Sequence, residues 1–279
     1  MFISSGGQNE GDFAVENNVV EDCSSTAYSV IELDVISGAY KSLAFIGNRI
    51  IGCQGNKVVF LDSVPTYASG FYHFVDNIIE DSVGTEDFLV FNSYPFSTFE
   101  RNLFINSTAT SSVRLGPSFS STEDLVPLPA NYWGTFQNDV MDLRRTVFDG
   151  LTSPVTSVID FMSVLASPAL GSSIVNVSLP GLFLSDGSIG GFLTSGAYEL
   201  DGKLDCSLAI FVAGNASLVL KPAVDITFQP GTALRVSDNA QVVMEGSDSL
   251  PIVLGAANES DWRGVLLDGN GIQDLPRAY

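Results

Sequence analysis

Large apolar side chains recur along the first half of the chain at a fixed offset from a polar one. Asn18, Asn48, Asn77, Asn102 and Asn131 are each followed two residues later by Val20, Ile50, Ile79, Phe104 or Trp133, at intervals of 30, 29, 25 and 29 residues. Aligning Val15-Glu-Asn-Asn-Val-Val-Glu-Asp-Cys23 with Phe74-Val-Asp-Asn-Ile-Ile-Glu-Asp-Ser82, Ile46-Gly-Asn-Arg-Ile-Ile-Gly-Cys53 and Phe99-Glu-Arg-Asn-Leu-Phe-Ile-Asn-Ser107 keeps polar and apolar positions in phase. A period of this length predicts one turn of a parallel β-helix per repeat. Successive turns then stack at about 4.8 Å, with each apolar position above its equivalent in an interior column. The five asparagines are expected at a bend, where Asn tolerates left-handed backbone and its amide can bond the Asn above and below.

After Asn131-Tyr-Trp-Gly134 the rhythm changes. Val140, Leu143 and Val147 fall on one helical face, with Asn138 or Asp139 as N-cap and Gly150 as a stop, predicting a short amphipathic helix over 138–150 that caps the first stack. Asp142, Arg144, Arg145 and Asp149 read as ion pairs on its surface. Tyr132 and Trp133 are expected as an aromatic plug beneath it. The Gly- and Ser-rich stretch 171–191, with Pro180, reads as a linker. Short apolar runs punctuated by Gly and Pro then resume from Tyr198 to Leu267. The expectation is therefore an all-β, right-handed parallel β-helix in two segments, 1–170 and 192–279, with the capping α-helix between them.

Composition supports a soluble coil and narrows the partners. Charged residues are 16% and apolar residues 45%, with no apolar run long enough to span a bilayer. Twelve Lys plus Arg against 32 Asp plus Glu, a net charge of −20, leave no basic stripe for nucleic acid or anionic membrane. No cofactor is expected. The acidic groups that could attract calcium are Asp76, Glu80 and Asp81, or Glu123 with Asp124, and neither set forms a recognisable binding loop.

Asn106, Asn176, Asn215 and Asn258 stand in Asn-x-Ser/Thr sequons, which point to an extracellular glycoprotein. Cys23 and Cys53 share one repeat position, five residues after Asn18 and Asn48. They would form either a disulfide or a stack of two thiols. Cys206 is left over. The opening residues lack a signal peptide and the end trails off after a strand, so the chain reads as a portion of a larger secreted or membrane-anchored protein.

Asn131-Tyr-Trp-Gly134, the passage from Leu218 to Phe228 ending in Gln229-Pro-Gly231, and Pro251-Ile followed by Trp262-Arg-Gly-Val265 resemble the right-handed parallel β-helices of large animal cell-surface proteins. The nearest are of the bark beetle (anakonda) type, in which such helices alternate with scavenger-receptor cysteine-rich domains. This resemblance covers most of the chain. It implies an extracellular, membrane-tethered protein of epithelial cell junctions, particularly where three cells meet, with the β-helix as a rigid spacer or adhesive surface. Its partners would be other extracellular or cell-surface proteins, or glycans. The chain departs from the family pattern in having no cysteine-rich domain, lectin-like domain or membrane span, and the family supplies no catalytic residues to carry over.

Two rival classes follow from the same fold expectation. Polysaccharide lyases and hydrolases need clustered carboxylates with a nearby base, yet Arg49, Arg101 and Arg114 lack repeated acidic pairs beside them in sequence, and His73 stands alone. A carbohydrate-binding reading would rest on Tyr67, Phe71, Tyr72 and Tyr94 lining one outer groove.

Overall fold

The computed structural model describes residues 2–5, 11–35, 40–63, 71–92, 98–109, 111–116, 125–134, 143–144, 147–152, 157–161, 163–176, 181–185, 187–237, 239–257 and 261–267. Its interactions are those of a parallel β-solenoid, and the chain divides into two compact units. One comprises residues 1–149 with 156–178, the other 150–155 with 179–279.

Three parallel sheets run along the first unit. The long sheet stacks Phe2–Ser5, Ile31–Val35, Gln54–Ser63, Val83–Phe91, Ser111–Leu115 and Val147–Phe148. The second sheet stacks Gly11–Glu16, Tyr40–Ile46, Phe71–Val75 and Thr98–Glu100. The third stacks Val19–Glu21, Arg49–Ile51, Ile78–Glu80 and Leu103–Ile105. The chain visits them in cyclic order, so each coil contributes one strand to each sheet.

Register explains the sequence repeat. Val20, Ile50, Ile79 and Phe104 are paired neighbours on the third sheet, and Ile50 and Ile79 are fully buried. Phe45, Phe74 and Phe99 form an interior column on the second sheet, with rings stacked at 5.2 and 5.0 Å. On the long sheet Ile31, Val59, Leu89, Val113 and Val147 do the same, none more than 1% exposed. Each such side chain contributes about 1.5–3 kcal/mol of hydrophobic stabilisation. Trp133 extends the third-sheet column, stacked on Phe104 at 4.7 Å and edge-on to Phe161 at 5.2 Å.

The helix expected over 138–150 is corrected at its C-terminal end. Leu143 and Arg144 are helical, but Val147 and Phe148 form a strand paired with Val113 and Arg114. The backbone groups of Val147 find partners on the open edge of the long sheet, and that pairing overrides local periodicity. Residues 135–142, 145 and 146, including Asn138, Asp142 and Arg145, lie outside the described residues.

Within 171–191, Ile174–Asn176 pairs antiparallel with Ser163–Leu165, and Gly181–Ser185 forms an antiparallel hairpin with Ser188–Leu193. In the second unit Ser188–Leu193 leads into a mainly parallel sheet with Lys203–Val212, Asp225–Phe228 and Val253–Ala256, to which Leu234–Val236 and Val265–Leu267 also belong. Ala197–Leu200, Ser217–Leu220 and Gln241–Met244 make a three-stranded parallel sheet. Leu218, Leu220, Ile226, Phe228 and Leu234 are buried between strands, and Trp262 stacks on Phe228 at 4.4 Å.

Candidate functional site

The two bends flanking the third sheet are built alike in every described coil. Before each ladder asparagine the backbone turns left-handed: Asn17 (φ 56°), Gly47 (67°), Asp76 (57°), Arg101 (55°) and Ala130 (56°). This turn places the following asparagine in register with those of neighbouring coils. The backbone N–H and Nδ2 of Asn48 both donate to Asn77 Oδ1, at 2.9 and 3.2 Å, and Nδ2 also donates to the Val15 carbonyl at 2.9 Å. Asn18 binds Asn48 Oδ1, Asn77 binds Asn102 Oδ1, and Asn102 binds Asn131 Oδ1 in the same way. Asn48, Asn77, Asn102 and Asn131 are buried. The Asn48, Asn77 and Asn102 amides engage the coils on both sides, and the Asn131 amide bonds the preceding coil and the Leu128 and Pro129 carbonyls of its own, so these amides are committed to the stack.

A second column, not legible as such in the sequence, closes the other bend. Asp22 (φ 50°), Gly52 (62°), Asp81 (50°) and Asn106 (47°) are left-handed, and Cys23, Cys53, Ser82 and Ser107 follow them. Cys23 N–H donates to Cys53 Sγ at 3.4 Å, Cys53 N–H to Ser82 Oγ at 3.2 Å, and Ser82 N–H to Ser107 Oγ at 3.2 Å. Sulfur and hydroxyl oxygen play the same acceptor role. All three cysteines are free thiols. Burial first, and then the Cys53 sulfur, push the Cys23 thiol up to about 11. Cys206 belongs to the second unit, where burial raises its thiol well above the usual range.

On the outer surface, most of the charges singled out in the sequence pair across coils. Arg49 meets Glu80 at 2.8 Å, and Arg101 meets Asp76 through two bonds of 2.7 and 2.9 Å while also reaching Glu100. Arg114 binds Asp87 at 2.8 Å and lies over the Phe148 ring. Two of the three acids considered for calcium, Asp76 and Glu80, are therefore held by arginine, while Asp81 is exposed. Among the described residues no three His, Cys, Asp or Glu side chains gather as metal ligands. His73 Nδ1 lies 3.2 Å from Thr98 Oγ1. Glu123, Asp124, Tyr67 and Tyr94 lie outside the described residues, and Phe71 and Tyr72 belong to a second-sheet strand.

Arg144 and Asp149 are not the surface pair the helix reading expected. Both are 1% exposed: Arg144 Nη1 donates to the Ile159 carbonyl at 2.6 Å and lies 3.5 Å from Asp149 Oδ2, with its guanidinium over the Phe161 ring. Asp149 also accepts the Ile159 N–H at 2.8 Å. Burial lowers the Arg144 pKa, and Asp149 and Asp160 oppose that shift. A sequence signal for this burial is faint, since the main partner lies 15 residues on.

The second unit repeats the cross-coil logic with charges. Lys221 Nζ bridges Glu199 at 3.0 Å and Glu245 at 3.3 Å, on the coils to either side. Of the sequon asparagines, Asn106, Asn176 and Asn215 are exposed, and Asn258 lies outside the described residues.

No family model, curated protein or solved structure matches this chain.

Proposed function

We propose that this chain is a non-enzymatic, extracellular structural or adhesive β-helix portion of a cell-surface protein that organises epithelial cell–cell junctions. The observation that carries the reading is where the polar side chains are spent. Asn48, Asn77 and Asn102 bond the coils on either side of them, and Arg49, Arg101, Arg114 and Lys221 tie acids on neighbouring coils. Coils whose side chains serve their own cohesion suit a spacer or adhesive surface better than a catalytic cleft. The resemblance of Asn131-Tyr-Trp-Gly134 and Trp262-Arg-Gly-Val265 to the β-helices of bark beetle (anakonda)-type proteins supplies the junctional context. Its partners on this reading are other cell-surface proteins or their glycans.

The test is to tag the endogenous gene product that contains this chain and image it against cell outlines in epithelium. Concentration at cell contacts, above all at three-cell vertices, is the expected result. Diffuse release into lumen or matrix would refute the proposal and make polysaccharide binding and cleavage the next assays.

A further inference from the structure

Two sets of asparagines in this chain, the ladder and the sequons, do not overlap. The ladder set, Asn18, Asn48, Asn77, Asn102 and Asn131, has an interior apolar residue two positions on, so none of its members stands in a sequon. Asn106 and Asn215 have Thr108 and Ser217 at that position instead. Both are exposed, both sit on bends between strands, and among the described residues neither carboxamide makes a hydrogen bond. Left-handed backbone at Asn106 puts it in a column with Asp22 and Asp81, which are also exposed, so an attachment there meets polar surface rather than core. At the other site, Gly214 lies so near the preceding coil that an added Cβ would stand 2.5 Å from the Thr194 carbonyl. The neighbouring Asn215 holds the bend through its backbone N–H, bonded to the same carbonyl at 3.1 Å, which leaves its side chain unused. Asn176 differs, lying within the paired strand Ile174–Asn176.

We infer that Asn106 and Asn215 carry N-linked oligosaccharides, a modification that deepens the extracellular reading above and rests on it. The donor is a lipid-diphosphate-linked oligosaccharide. Nδ2 of the asparagine attacks C1 of the reducing-end sugar, forming the C1–N bond as the C1–O bond to phosphate breaks. The lipid diphosphate leaves with the bonding electron pair, and one Nδ2 proton passes to a base of the transferase. The sequon Thr or Ser is what that enzyme recognises.

The experiment is to produce residues 1–279 behind a cleavable secretion signal in cultured animal cells and map glycans by mass spectrometry. Peptide N-glycosidase digestion in heavy-oxygen water marks each formerly occupied asparagine as labelled aspartate. Occupancy at both Asn106 and Asn215 is expected, with Thr108→Ala and Ser217→Ala each removing one glycan while leaving the asparagine in place. The same map taken from cell lysate decides the question even for a poorly secreted variant. An unmodified Asn106 or Asn215 in either fraction overturns the inference. Occupancy in a gene product that is absent from junctions leaves it standing and refutes the junctional role alone.

Discussion

Replacing Asn77 by Ala removes a group that is fully buried and engages the coils above and below. Asn77 Oδ1 accepts from the Asn48 N–H and Nδ2, and its own Nδ2 donates to the Phe45 carbonyl at 2.8 Å and to Asn102 Oδ1 at 3.0 Å. Truncation strands the buried Asn48 N–H, at a cost of about 1–3 kcal/mol, and removes further bonds worth about 1 kcal/mol each whose partners keep other contacts. A loss of roughly 4–6 kcal/mol follows, a large share of the ~5–15 kcal/mol stability of a typical domain. Asn18→Ala is the internal control. That residue is exposed at the end of the column, and Asn48 Oδ1 still accepts the residue 18 backbone N–H, so a loss of at most about 1 kcal/mol is expected. Urea unfolding in a Trp262→Phe background, where Trp133 reports on the first unit, measures both. Equal losses for Asn18→Ala and Asn77→Ala, or none for Asn77→Ala, would refute the argument that the column holds by coil-to-coil bonds.

Four further outcomes are expected. Ile79→Asp places an unpaired charge in a fully buried column and should unfold the first unit, a loss above about 4 kcal/mol by the same assay. Cys53→Ser should stay within about 0.5 kcal/mol of the parent because Ser82 and Ser107 already play its part, whereas Cys53→Ala should cost about 1–2 kcal/mol by leaving the Cys23 N–H without its acceptor. With the Cys23 thiol held at about 11, its thiolate is scarce at pH 8, and alkylation should run about 100-fold slower in the folded chain than in urea; equal rates would contradict the packing. Ala130→Gly, at φ 56°, should raise stability by up to about 1 kcal/mol, read as a higher urea midpoint.

The parts of this fold that were legible in the sequence are those repeated in every coil with the same chemistry. Asn and a large apolar residue two positions on announce themselves because a ladder needs identical groups in register. The Cys and Ser positions line up in the repeat, but their shared acceptor role is not legible there, because thiol and hydroxyl look unrelated in a sequence although Cys53 Sγ and Ser82 Oγ accept equivalent N–H groups. Left-handed turns are hidden wherever the residue is Asp76, Arg101 or Ala130 instead of glycine. The helix reading failed at Val147 because its pairing partner, Val113, is remote in sequence while the spacing of Val140, Leu143 and Val147 is local. Burial of Arg144 escaped for the same reason, its acceptor being the carbonyl of Ile159.

The coil has one rigid stretch, from the second sheet through the third to the Cys/Ser column, and its most elastic corner lies between the long and second sheets. From Val15, Phe45, Phe74 and Phe99 to the next asparagine and on to Cys23, Cys53, Ser82 and Ser107, the count of residues never changes, because each position there is a rung in a column of bonds. Between the long and second sheets the count is free: Phe74 lies 13 positions after interior Leu61, but Phe99 lies 8 after Phe91. Natural or engineered variation in length should therefore come in two sizes. Whole repeats can be lost or gained, since that shortens every column by one rung without breaking its phase, and small insertions can enter at the elastic corner. A foreign peptide grafted between Ser63 and Phe71 should therefore leave the columns of the neighbouring coils in register.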